Sequence, residues 1–208
     1  MSTMSTAGQS GTRNESTGNG SGIKGCPVAQ HLWDAQYRSG QWDHPDCADQ
    51  AALYLAICEM YQRYSGDGTV LDIGCGSGNL YRYLTEHAGM QTSCYTGIDI
   101  AEEAVRRAAA QFPEAGFGKR DYGTESVGSR FDCVIFNESL QCFEDPVSIL
   151  QKCMDRNMHA CSLLIVAMSG DQNDVLWRAL EQRFGMVDEQ LAESGGNLWK
   201  IWALKPDC

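Results

Sequence analysis

The run Val70-Leu71-Asp72-Ile73 is apolar enough for a buried strand. It breaks at once into Gly74-Cys75-Gly76-Ser77-Gly78, after which Leu80, Tyr83, Leu84 and Ala88 recur at helical spacing. Strand, glycine turn and helix in immediate succession make the first half of a parallel crossover unit, and the chain repeats that alternation. Strand patterns fall at 93–100, 116–121, 131–137 and 163–168, and helical ones at 101–112, 145–154 and 175–184. The helix at 101–112 turns Ala104, Val105, Ala108 and Phe112 to one face and meets Pro113 behind it, while Asp145-Pro146 supplies an N-cap and a first-turn proline for the next. Near the C-terminus, 186–193 and 198–205 flank Ser194-Gly195-Gly196-Asn197, the pattern of a β-hairpin. Such alternation predicts an α/β fold with a mostly parallel sheet covered on both faces and an antiparallel pair at one edge.

Ahead of the sheet, residues 1–22 are almost all Ser, Thr, Gly and Asn. They cannot bury enough surface to offset ordering, so a disordered tail is expected. Short helical spacing at 31–37, a turn-rich stretch around Trp42, and an amphipathic helix at 46–64 with Leu53, Ala56, Ile57, Met60 and Tyr64 inward predict a helical cap over 23–66. The remaining 67–208 form the sheet-bearing core.

Composition removes several classes. With 27 acidic against 16 basic side chains the net charge is -11, which argues against a phosphate-backbone partner. No run of about 18 apolar residues is present, so no membrane span is expected, and the first residues carry no apolar core of a secretory signal. The ten cysteines are scattered without a C-x-x-C pair. Cys58, Cys75, Cys133 and Cys161 sit in apolar runs, where a thiol is a small hydrophobe. A reducing, cytoplasmic setting without a metal site follows as the expectation.

The glycine turn also carries the chemistry. A helix N-terminus behind glycines exposes free N–H groups to a ligand. The third glycine of a dinucleotide fingerprint would fall at position 79, which is Asn79, and no Lys-Ser/Thr follows for a phosphate-cradling loop. Asp72-Ile73-Gly74-Cys75-Gly76-Ser77-Gly78 instead resembles the first motif of the class I S-adenosylmethionine-dependent methyltransferases.

That resemblance implies a three-layer, Rossmann-like seven-stranded sheet in the order 3-2-1-4-5-7-6 with strand 7 antiparallel, and S-adenosylmethionine as cofactor. It implies cofactor contacts from Asp72, Gly74, Cys75 and Gly76 in the turn. Asp99 would take the ribose diol and Ile100 flank the adenine. Asp121 and Tyr122 would line the adenine pocket, and Asn137 would approach the methionine part. Tyr37 and Trp42 would cover the site from the preceding segment, or alternatively anchor it to the core. Glu138 would orient or deprotonate an acceptor, or else serve as a structural carboxylate. His44 is a second candidate base or a solvated loop residue.

Family members that methylate base nitrogens carry Asn/Asp-Pro-Pro-aromatic at the fourth strand. Here Asn137-Glu138-Ser139-Leu140 stands there, and no Pro-Cys nucleophile occurs, so the resemblance implies a small-molecule acceptor rather than nucleic acid. Transfer to oxygen or nitrogen is left open. Two other readings share the site: a nicotinamide-linked oxidoreductase, and a cofactor-binding protein without catalysis.

Overall fold

A computed structural model describes residues 24–42, 50–169 and 173–206. The tail expected at 1–22, His44, Cys47 and Cys208 lie outside the described residues.

Helices α1 (Gln30–Arg38) and α2 (Ala51–Tyr64) precede a regular alternation. It runs β1 (Val70–Ile73), α3 (Asn79–His87), β2 (Tyr95–Asp99), α4 (Glu102–Gln111), β3 (Gly116–Lys119), β4 (Phe131–Asn137), α5 (Pro146–Asn157), β5 (Met158–Ser169) and α6 (Asp174–Glu181). The hairpin β6 (Gly185–Ser194) and β7 (Asn197–Lys205) closes it. The sheet has seven strands in the order β3-β2-β1-β4-β5-β7-β6, and β7 alone runs against the rest. The fold expected from the sequence is therefore the fold observed.

Alternation along the central strands sorts two cores. Val70, Cys133 and Ile135 face α2 and α3, whereas Leu71, Val134 and Phe136 face α5 and α6. Every residue of β1 is buried, as a strand covered on both faces requires. Leu53, Ile57, Met60 and Tyr61 of α2 are fully buried within the first of these cores. That helix thus packs as part of the sheet's covering layer.

Asp34 of α1 is buried, and its Oδ1 accepts the N–H of Glu103 at 3.1 Å. The first turn of α4, whose own N-cap Ala101 offers no side-chain oxygen, is capped by a residue of another helix. Asp145 caps α5 through Ser148 as its sequence predicts.

Two expectations shift. The fifth strand runs from Met158 rather than residue 163, because Phe131 pairs with Met158 while Cys133 pairs with Leu163, leaving extra residues in an irregular bulge. Cys161 lies in that bulge and is exposed, so it is not a core thiol. Cys153, on the inner face of α5, is buried instead.

Candidate functional site

The chain leaves β1 and β4 in opposite directions across the sheet, which opens a crevice beyond their carboxyl ends. A cavity of about 880 Å³ fills that crevice. Tyr37, Trp42, Asp72, Gly74, Cys75, Gly76, Asp99, Ile100, Asp121, Tyr122, Asn137 and Glu138 all border it, so every described site residue expected from the sequence lies there.

The floor is the glycine turn. Gly74, at φ +82°, hands its N–H to the carbonyl of Ile98 at 2.8 Å, and Cys75 donates to the same oxygen at 3.0 Å. A Cβ at Gly74 would stand 2.4 Å from that of Ser139, whose hydroxyl donates to Ile73 O at 2.5 Å. Those contacts clasp the turn after β1 to the turn after β4. Gly76, at φ +54°, leaves its missing Cβ 2.8 Å from the Tyr37 hydroxyl, which brings α1 over the turn. The Gly76 N–H points away from that contact, to Asp99 Oδ2 at 2.9 Å.

Asp99 also accepts from Ala101 N at 2.8 Å through Oδ1. One carboxylate thereby joins the glycine turn to the turn after β2. Burial raises its pKa, and the backbone N–H groups of Ala101, Gly76 and Ile100 work against that rise. An ionised carboxylate has about four lone-pair sites, so two remain to meet a ligand's hydroxyls.

Asp72 sits one layer deeper. Its Oδ2 accepts the Tyr95 hydroxyl at 2.7 Å, and Oδ1 is buried without a partner. Burial pushes its pKa up to about 7, with the Tyr95 bond opposing and the charge of Asp99 reinforcing. Asp121 shapes its own turn by accepting Gly123 N and the Thr124 hydroxyl, each at 2.9 Å. Tyr122 borders the cavity, but its ring packs in the second core and its hydroxyl donates to Asn157 Oδ1 at 2.7 Å. Trp42 stands with its ring centre 6.2 Å from that of Tyr37 and 5.9 Å from that of Trp33, forming an aromatic rim.

Beyond β4, Asn137 Oδ1 is buried and unpartnered. Glu138 is the one non-glycine residue among those described with positive φ, at 54°, a backbone state that costs roughly 1–3 kcal/mol and gathers at functional sites. Its Oε1 is buried without a partner, while Gln141 donates from Nε2 to the Glu138 carbonyl at 3.0 Å and more weakly to Oε2 at 3.4 Å. Burial pushes the Glu138 pKa up to about 7, against the backbone of Ser169 and the Gln141 amide.

These two raised carboxyls set a pH dependence. Between about pH 5 and 7 the folded chain keeps protons on Asp72 and Glu138 that an unfolded chain has released, so stability falls as pH rises through that window. We expect the melting temperature to drop from pH 6 to pH 8. Glu138→Gln should flatten the drop and recover on the order of 2–3 kcal/mol at pH 8. A melting temperature that climbs over the same interval contradicts this account.

Sequence reasoning missed several lining residues. Gln141 lies three residues after Glu138, in the short 3-10 turn Leu140–Cys142, and its nearness in sequence was a usable signal. Trp33, Tyr54 and Trp199 also border the cavity. Trp199 reaches it only because β7 inserts beside β5, so no local pattern marks it. The segment ahead of α1 forms a further wall: Gly25 donates to Glu144 O at 3.1 Å and Cys26 to Gln141 O at 2.8 Å.

The comparisons with known proteins agree with this geometry. Residues 71–157 match the family model described as a methyltransferase domain. The chain is similar to the trans-aconitate 2-methyltransferase of Agrobacterium fabrum, 29% identical over 127 residues that make up 61% of this chain and 48% of that protein. It is likewise similar to a ubiquinone biosynthesis O-methyltransferase of Nitrosospira multiformis, 33% identical over 110 residues, 50% of this chain and 44% of that one. The matches thus span about half the length of these curated relatives. Among solved structures, the N-methyltransferase NodS from Bradyrhizobium japonicum, in complex with S-adenosyl-L-homocysteine, superposes with a TM-score of 0.66 at 17% identity. It covers 84% of this chain and all of that one. The plantazolicin methyltransferase BpumL gives 0.63 at 16% identity, covering 83% and 90%. A glycine turn clasped at the switch point and a sheet with only its seventh strand reversed accompany a matching domain model: residues 71–157 carry a methyltransferase domain, in a fold shared with solved methyltransferases.

Proposed function

We propose that this chain transfers the methyl group of S-adenosylmethionine to an oxygen or nitrogen of a small-molecule acceptor. The observation that carries the reading is Asp99, a half-buried carboxylate that holds the Gly76 and Ala101 N–H groups and keeps lone pairs free at the cavity edge. The residues present fit the cofactor. Gly74 and Gly76 keep Cβ atoms out of the turn where a ligand must lie close, and the orphan Asp72 Oδ1 and Asn137 Oδ1 await donors beside it.

Asp99 would take the ribose diol, Ile100 and Asp121 the adenine side, and Asn137 with the turn the amino-acid end. Tyr37 and Trp42 would close the cavity from above. When bound, the cofactor supplies a methyl group on a cationic sulfonium that leaves as a neutral thioether. The chain's task is then to align the acceptor, exclude water and accept a proton, because positioning alone can carry much of such a displacement. Glu138, strained and with one free oxygen, is the group suited to that proton.

The small-molecule reading is supported by a concave cavity of about 880 Å³ and by a net charge of -11, which disfavours nucleic acid. No helix among the described residues is long and apolar enough to cross a membrane. The buried free thiols Cys58, Cys75, Cys133 and Cys153 support a reducing, cytoplasmic setting.

Thermal unfolding tests the cofactor directly. At about 100 times its dissociation constant a ligand adds about 2.7 kcal/mol. For a chain of this size that raises the melting temperature by about 5–10 °C. We expect that rise with S-adenosylmethionine or S-adenosylhomocysteine and none with NADH. The opposite ranking would make this a nicotinamide enzyme. Cofactor binding without any methylated product from a metabolite pool would make it a binding protein.

A further inference from the structure

The geometry points to a cationic amine as the acceptor, held over the aromatic wall of the cavity and aimed at Glu138. This rests on the cofactor reading above and narrows its acceptor.

Charge is the first argument. Asp72, Asp99, Asp121, Glu138, Glu144 and Asp145 border the cavity, whereas Arg120 is the single Lys or Arg bordering it among the described residues. Arg120 is already committed, donating to Ser126 O at 2.9 Å and lying 3.6 Å from Glu125. A carboxylate-bearing acceptor would enter with no free cation to meet it, at the cost of an unpaired buried charge. A cation enters a field that attracts it.

Hydrogen bonding is the second argument, and it is independent of net charge. The buried polar atoms without partners along this cavity are Asp72 Oδ1, Asn137 Oδ1, Glu138 Oε1 and Gln141 Oε1. All four are acceptors. The Gln141 amide is oriented by its own bonds, since Nε2 serves the Glu138 carbonyl and Oε1 is left over. Asp72 and Asn137 flank the glycine turn and belong with the cofactor, which leaves Glu138 and Gln141 for the second ligand. An ammonium brings three donors and no acceptor, the complement of that pair. A neutral hydroxyl brings one.

The walls supply the third. Trp33, Tyr37, Trp42, Tyr54 and Trp199 surround the space, and aromatic faces attract a cation most strongly where water is excluded.

The step balances with groups already named. The substrate ammonium gives one N–H proton to the Glu138 carboxylate and becomes a neutral amine. Its lone pair then forms the N–C bond to the methyl as the C–S bond breaks, with that electron pair remaining on sulfur. Methylated ammonium, neutral thioether and protonated Glu138 result, and the proton leaves to solvent between turnovers. A Glu138 pKa near 7 suits both halves of that cycle at neutral pH.

Calorimetry on the full chain saturated with S-adenosylhomocysteine tests this, with phenethylamine, 4-ethylphenol and trans-aconitate as matched cationic, neutral and anionic probes. Phenethylamine should bind at least about tenfold more tightly than either of the others, and Glu138→Gln should weaken it about tenfold or more. With S-adenosylmethionine, mass spectrometry should find the added methyl on its nitrogen. Tighter binding of trans-aconitate, phenethylamine binding unchanged by Glu138→Gln, or no response to phenethylamine by protein that binds S-adenosylhomocysteine overturns the amine inference. Failure of S-adenosylhomocysteine itself to bind overturns the cofactor reading instead.

Discussion

Replacing Asp99 by alanine should lower S-adenosylmethionine affinity by at least about a hundredfold. Two hydrogen bonds from a ribose diol to one carboxylate are at stake, and bonds to a charged group are worth about 1.5–3 kcal/mol each. The loss exceeds those two bonds, because the same carboxylate anchors the N–H groups of Gly76 and Ala101. Without it both donors lose their partner, and the glycine turn keeps only its backbone bonds to Ile98 O as a tie to the end of β2. Asp99→Asn separates the two effects. An amide oxygen can still accept one backbone N–H, so the turn should hold while the ribose contact weakens. Calorimetry with S-adenosylhomocysteine measures both variants. Affinity within threefold of the parent for Asp99→Ala would mean that the ribose is held elsewhere.

The second large effect concerns a side chain that is missing. Gly74→Ala should destabilise the chain by about 2–4 kcal/mol, lowering the melting temperature by about 5–15 °C, and should abolish measurable cofactor binding. Two causes add. The backbone at φ +82° is strained for any residue with a Cβ, and that Cβ would stand 2.4 Å from the Ser139 Cβ. Ser139 cannot retreat freely, since its hydroxyl is bonded to Ile73 O. Differential scanning calorimetry and titration with S-adenosylhomocysteine read the two consequences. The double variant Gly74→Ala with Ser139→Gly should recover part of the stability by removing the overlap, and none of the part due to φ. Full recovery would show that steric overlap alone sets the glycine requirement.

Much of this protein was legible before its structure. Helix and strand positions follow from periodicity because one stripe or face of each must be buried, and β4 at Phe131–Asn137 coincides with the strand pattern at 131–137. The cofactor side of the expected site came from the resemblance of the glycine turn to a methyltransferase first motif, carried along the strand order. Asp72, Gly74, Asp99, Asp121 and Asn137 follow from that resemblance, and all five border the cavity.

What escaped detection came from elsewhere in the sheet or from the segments before it. Trp199 borders the cavity because β7 inserts between β5 and β6, a placement made by long-range pairing. Asp34 caps a helix about seventy residues further along the chain, and no short-range pattern encodes that. The fifth strand begins earlier than its apolar run, because residues 159–161 are exposed in a bulge and carry no hydrophobic signal.

The sequence by itself determined the architecture and the chemical inventory: a parallel sheet, a glycine turn that admits a ligand's close approach, and acids at the ends of its strands. Those follow from local rules of burial, φ and chain order. The tertiary structure alone decided the electrostatic state of that inventory. Asp72 and Glu138 are ordinary carboxylates in the sequence. In the fold, burial raises both towards neutrality and leaves an oxygen of each without a partner. The physical reason is that desolvation and unmet hydrogen bonds depend on what surrounds a group in space, and that environment exists only once the strands, the capping helices and the N-terminal wall have come together around one cavity.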